Sequence, residues 1–90
     1  MGKRMDEKKR LAVLALILSE PGLSTYALGI RLGVSHNTIA NALISLEEDG
    51  VFCYQDGACI FFSHTVGEKG EALVRAAKAL LTSRQTYITI

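Results

Sequence analysis

Apolar positions along this chain fall into blocks of different period, and each block predicts an element. Leu11 to Leu18 is an unbroken apolar run. It predicts a helix from about Met5 to Ser19 that stops at Pro21-Gly22. In the next block Leu28 and Leu32 fall four apart, and Ile39, Leu43 and Leu46 recur at spacings of three and four. Such spacing gives two short helices, each with one apolar stripe. Val51 to Phe62 is rich in Val, Phe, Tyr, Cys and Ile around Asp56-Gly57, the pattern of a β-hairpin turning at that dipeptide. Thr65-Val66-Gly67-Glu68 fits a capping box opening a last helix to about Ser83. Thr86 to Ile90 is β-prone.

The joint between the two short helices has a mechanical reason at each position. Gly33 takes the left-handed conformation that ends the first helix without a Cβ penalty. Val34 is an apolar plug between the helices. Ser35 caps the second helix by accepting a hydrogen bond from a free backbone N–H. Gly29 stands where the two helices approach, and a side chain there pushes them apart. Leu23 to Val51 is therefore a helix-turn-helix, whose second helix, residues 35–49, has an outer face free to enter a DNA major groove.

The chain has 90 residues, enough for a single domain that buries about 60–65% of its unfolded surface. Within it the pattern separates a basic N-terminal arm (1–10), a core (11–83) and a β-prone tail (84–90). Nearly half of the residues are apolar, more than one small core requires, which points to an oligomer or extra covalent ties. A formal net charge of +1 predicts no strong global attraction to polyanions. The Leu11–Leu18 run is too short to span a bilayer. Lys8-Lys9-Arg10 precedes it as in a signal peptide, but no small-residue cleavage site follows. The expected location is cytoplasmic.

Helix, helix, helix, two strands, helix is the order of a winged helix-turn-helix: mainly α with a small β-hairpin. The residues resemble the MarR and PadR groups of transcription regulators. Leu14 to Leu32, "LALILSEPGLSTYALGIRL", is similar to the PadR-type opening of an apolar helix followed by a Tyr-x-Leu helix. Ser45 to Phe52, "SLEEDGVF", resembles the junction between recognition helix and wing. Val66 to Leu73, "VGEKGEAL", resembles the start of the last helix, with Gly67 where Thr is usual. The resemblance covers residues 11–82 and implies a homodimer that binds double-stranded DNA through the second helix of the pair. Small archaeal and archaeal-virus regulators share this short form.

Under that implication the outward residues of the recognition helix are Ser35, His36, Asn37, Thr38, Asn41 and Ser45. Asn pairs bidentately with adenine, Thr meets a thymine methyl, and His reaches a base or a phosphate. The same residues also suit the solvated face of an amphipathic helix. Charge complicates the reading. No Lys or Arg lies between Arg31 and Lys69, whereas Glu47, Glu48, Asp49, Asp56 and Glu68 do. Phosphate contacts, which carry most non-specific affinity, must then come from Arg31, from Lys8, Lys9 and Arg10 with Lys3 and Arg4, or from the last helix with Lys69, Arg75 and Lys78. The N-terminal cluster is either a basic arm or a solubilising tail. The wing tip, Gln55-Asp56-Gly57-Ala58, lacks the cation that enters the minor groove in many relatives.

Cys53 and Cys59 flank the turn. A three-residue loop of Gln55, Asp56 and Gly57 places them opposite each other, within disulfide reach. A two-residue Asp56-Gly57 turn sets them on opposite faces. Free thiols are the default in a mesophile's cytosol, and a disulfide, within or between chains, becomes credible in a hyperthermophile. Cys-x5-Cys with only His64 nearby lacks a zinc ligand set, and neither metal nor cofactor is expected.

Leu11, Leu14, Ala15 and Leu18 form one stripe of the first helix for the domain's core. Val13, Leu16 and Ile17 lie on its other side, so both faces call for burial. Leu73, Ala76, Ala77, Leu80 and Leu81 form a stripe on the last helix. The resembling families imply a two-fold dimer in which Val13, Leu16, Ile17, Leu73, Ala77, Leu80 and Leu81 meet their counterparts. Such a dimer sets two recognition helices roughly 34 Å apart on a palindromic site. The leading function is a homodimeric, sequence-specific DNA-binding transcription regulator. The alternative is a protein-interaction module using the cation-poor helix-three and wing face, which the apolar Ile44 near the outer side of helix three favours. No nucleophile–base pair, phosphate loop or metal cluster points to an enzyme, and no residue points to a small-molecule effector.

Overall fold

A computed structural model of the chain describes the backbone of residues 6–89 and the side chains of residues 6–82. Lys3, Arg4 and Ile90 lie outside the described residues. The order is α1 (Glu7–Ser19), α2 (Thr25–Leu32), α3 (His36–Glu48), β1 (Val51–Asp56), β2 (Cys59–Thr65) and α4 (Gly67–Thr89). This is the predicted succession, with two boundaries moved. Thr65 ends β2 opposite Val51 instead of capping α4, because the strand ladder takes its backbone. The segment expected as a β-prone tail continues α4 through Thr89. Each added helical residue gains an intrahelical hydrogen bond, whereas an isolated strand has no ladder to join.

The apolar run of α1 is explained by its place at the centre. One face, with Val13 and Ile17, packs on Leu28, Ile39, Ala42 and Ile60 from α2, α3 and β2. The other, with Leu14 and Ala15, packs on Leu46, Val51, Leu73 and Ala77 from α3, β1 and α4. Both faces of α1 are thus covered by its own chain. Val13, Ile17, Leu73 and Ala77, expected at a dimer interface, are interior residues of one protomer. Leu16 and Leu81 are half-buried against the same two clusters. Leu80, at 42% exposure, is the one member of that expected set that faces outward.

The hairpin is antiparallel, with Asp56 paired to Cys59 and Cys53 to Phe62. Its turn is Gly57-Ala58, with Gly57 at φ +65° and Ala58 at negative φ, the glycine-first pattern of a type II′ turn whose twist suits the strands. Neither turn expected from the sequence forms. Cys53 and Cys59 stand three ladder positions apart on opposite faces, both as free thiols, the default the sequence predicts; the pairing within the chain that a three-residue loop would allow does not form. A bulge at Ser63 shifts the register between Phe52 and Cys53. Leu23, just before α2, adds a bridge to the sheet: Gly22 N–H donates to the Ile60 carbonyl at 3.0 Å, and Ile60 N–H to the Leu23 carbonyl at 3.0 Å. The bridge fixes the wing to the start of α2.

Candidate nucleic-acid interface

Local chemistry builds the α2–turn–α3 unit as expected. Ser24 caps α2 by accepting from Ala27 N–H. Gly33 ends it in the left-handed region at φ 73°, and Val34 packs against the core. Val34 N–H donates to the Gly29 carbonyl at 2.9 Å. A Cβ on Gly29 would stand 2.6 Å from the Val34 carbonyl oxygen, so the turn closes only over a glycine. Ser35 Oγ accepts from Thr38 N–H at 3.2 Å and pairs with the Thr38 hydroxyl at 3.0 Å. Ile39, Ala42 and Leu46 then bury one side of α3. His36, Asn37, Asn41 and Ile44 are left exposed on the other side.

The expected readers do not share one fate. Asn37 and Asn41, one helical turn apart, project outward with free amides. Ser35 and Thr38 spend their hydroxyls on the cap, at the rim of the face. The His36 ring stacks on Tyr26 of α2, with centroids 4.3 Å apart. Tyr26, 62% exposed, was not singled out from the sequence. Its signal lies in the Ser24 cap, which sets the start of α2 beside the start of α3. Ser45 faces inward: its Oγ accepts from Arg10 Nη1 at 2.9 Å.

Arg10 likewise leaves the set of DNA contacts. Its side chain is nearly buried; Nη1 donates to Asp49 Oδ2 at 2.6 Å and Nη2 to Glu7 Oε1 at 3.1 Å. Lys69 approaches the other Asp49 oxygen at 3.4 Å. The hydrogen bond from Arg10 holds the Asp49 carboxyl below the usual carboxylate range, against the opposing effect of desolvation. Arg10 therefore ties the first turn of α1 to the end of α3, with Lys69 of α4 on the outer side. Lys8 and Lys9 are exposed on that same turn, at the end of α3 opposite the asparagines. Arg31, exposed at the end of α2 beside the turn, pairs with Glu20.

The wing carries no cation at its tip. Tyr54 is 53% exposed on β1 and stacks on Phe61 with centroids 5.3 Å apart. Cys53 lies inside the hairpin's inner face, where burial pushes its thiol up to about 11. No described helix is long and apolar enough to cross a membrane.

No protein-family model matches the chain, and no curated protein matches its sequence. Solved structures do match. A MarR family protein of Mycobacterium tuberculosis superposes with a TM-score of 0.58 at 20% identity, over 88% of this chain and 56% of that one. The PcaV transcriptional regulator of Streptomyces coelicolor, in complex with its natural ligand, gives 0.60 at 20% identity over 99% and 65%. FabT of Streptococcus pneumoniae, in complex with DNA, gives 0.59 at 16% identity over 90% and 58%. The chain thus spans 56% to 65% of the length of these proteins. The likeness shows the fold: four helices and a two-stranded wing in the winged-helix arrangement.

Proposed function

We propose that this chain is a homodimeric, sequence-specific, double-stranded DNA-binding transcription regulator that reads the major groove with α3 and acts inside the cell. The observation that carries the reading is the outward pair Asn37 and Asn41 on a helix held rigidly by the Gly29–Gly33–Ser35 turn. Buried partners account for the inward residues of α3, whereas its exposed amides, spaced by one turn, suit adenine edges. FabT, of the same fold, is solved with DNA, which supports the class of partner.

His36, steadied by Tyr26, flanks the asparagines on the wing side, and Ser35 and Thr38 lie at the rim. Arg31 is the main phosphate contact, since an exposed pair with Glu20 costs little to open. Lys8 and Lys9 serve outer phosphates. Two protomers join along the outward side of α4, where Leu80 is exposed. A palindromic site follows from two-fold symmetry, with half-sites about one helical turn apart.

Selection from a random duplex pool tests the proposal. The expected result is an enriched palindrome, with Asn41→Ala weakening binding to it by about 5- to 150-fold, the range for one bidentate base pair contact. No enrichment at low salt overturns DNA reading in favour of a protein partner.

A further inference from the structure

The wing has one bonded edge and one open edge. On β2, Ile60 N–H donates to the Leu23 carbonyl, and the Ile60 carbonyl accepts from Gly22 N–H, both at 3.0 Å. Ile60 thus turns its backbone groups away from β1, and its ladder partner Gln55 turns its own N–H and C=O to the opposite side. Cys53, two residues back in the same register, does likewise. No described residue bonds to these four groups. A shallow groove of about 170 Å³ lies along that edge, to which β1 lends Cys53, Tyr54 and Gln55, α3 lends Leu43, Ile44 and Glu47, and β2 lends Ile60. We infer that the open edge of β1 is a docking site for an extended segment of a partner protein. The segment adds as a strand and carries an apolar residue and, two positions away, a Lys or Arg. This inference stands apart from the DNA-binding reading.

Backbone, side chains and charge agree on that occupant. Unpaired N–H and C=O groups along a strand edge are satisfied by another strand. β1 has none of the usual guards: Val51 to Asp56 holds no Lys and no Pro, and the bulge lies in β2. An added strand alternates its side chains between the two faces. Those beside Cys53 and Gln55 face α3, where Ile44 is 55% exposed and Glu47 presents a carboxylate. One of them is therefore apolar and the other cationic. The residue between them lies on the other face, beside the exposed Tyr54 ring. Among the described residues Glu47 has no ion-pair partner, and no Lys or Arg lies between Arg31 and Lys69. A second copy of β1 is the wrong partner. Pairing edge to edge sets Glu47 and Asp56 of each copy against the same carboxylates of the other.

The test selects random displayed peptides of about ten residues against the full chain and titrates a synthesised winner into isotopically labelled protein. Enriched peptides should alternate, with an apolar residue and a Lys or Arg two positions apart. Binding should slow hydrogen exchange at the Cys53 and Gln55 amides. N-methylation of alternate peptide residues should weaken binding about two- to tenfold per lost hydrogen bond in one phase and leave it unchanged in the other. Glu47→Lys should reverse the charge preference, favouring a Glu counterpart of the peptide by about two- to fivefold, the range for an exposed pair. Glu47 is exposed near the end of α3, where a Lys suits the helix dipole, and a thermal melt verifies the fold. Three results each overturn the inference: no enriched peptide, binding indifferent to N-methylation in both phases, or an unchanged charge preference in Glu47→Lys. Protection of the same amides that grows with protein concentration, without peptide, overturns it in favour of a second copy. The duplex selection succeeds or fails independently of these results.

Discussion

Asp49 stands at the C-terminal end of α3 behind Glu47 and Glu48, three carboxylates where the helix dipole is already negative. Arg10 and Lys69 offset that misplacement, and Arg10 adds a bond to Ser45 Oγ. The Arg10 position continues the inward stripe of α1, at three, four and seven residues before Val13, Leu14 and Ile17. A long side chain on that stripe must find a buried partner, which is why Arg10 parts company with Lys8 and Lys9. Arg10→Ala leaves Asp49 and Ser45 facing a void, and should cost about 2–4 kcal/mol in urea unfolding, near the range for breaking a buried ion pair. The pH dependence follows from the lowered Asp49 carboxyl. Its contribution is fully present above the ordinary aspartate value near 4 and is lost as pH falls through the lower folded-state value. Unfolding free energies measured from pH 5 down to 3 should therefore fall less steeply for Asp49→Asn than for the native protein.

The elements divide by how local their causes are. The helix-turn-helix was legible because each of its requirements resides within a few residues: a left-handed Gly33, a cap at Ser35, and an unobstructed Gly29. Gly29→Ala sets a Cβ 2.6 Å from a carbonyl oxygen that cannot retreat, because Val34 N–H is bonded back to Gly29. The expected loss is about 2–3 kcal/mol, as for overpacking, or a fall in Tm of roughly 10–20 °C at this size. Gly33→Ala meets open space and pays only for its left-handed backbone, about 1–2 kcal/mol. The order of the two melts checks the mechanism. The hairpin was less legible, because Asp56-Gly57 and Gly57-Ala58 are both plausible turns and one residue of register turns every side chain over. The choice was made by the core, which takes Ile60 inward and thereby places Cys53 inside and Cys59 at the far end of the ladder. With its thiol pushed up to about 11, Cys53 is protonated at pH 8 and shielded. A disulfide-exchange reagent should show one fast thiol and one slow, the fast phase vanishing in Cys59→Ser. An oxidised band on a non-reducing gel that Cys53→Ser removes would contradict this register.

At the scale of the molecule, the all-round apolar character of α1 predicts a second protomer, but its own chain meets the demand. Periodicity counts the faces that need covering but does not say which chain covers them. Here α2, α3, α4 and both strands surround α1. In the proposed dimer the interface is thereby left to the outward side of α4 around Leu80. Leu80→Glu should yield a monomer in sedimentation with unchanged helical circular dichroism, and lower the affinity for a palindrome by about 100-fold, the smaller end of what linking two sites contributes. Affinity that remains must lean on few cations. The net charge is +1, Arg10 is consumed in the interior, and α3 and the wing offer no Lys or Arg. Each phosphate contact adds about 0.9 to the slope of log affinity against log salt. If Arg31 is the main contact, Arg31→Ala in a dimer should flatten that slope by about 1.8 while leaving the selected sequence unchanged, because a phosphate contact positions without specifying. Lys8 and Lys9 lie past the far end of α3, so replacing both by Ala should flatten it less. A larger effect from the lysines than from Arg31 would place the duplex along the first turn of α1, and would turn α3 over relative to the groove proposed here.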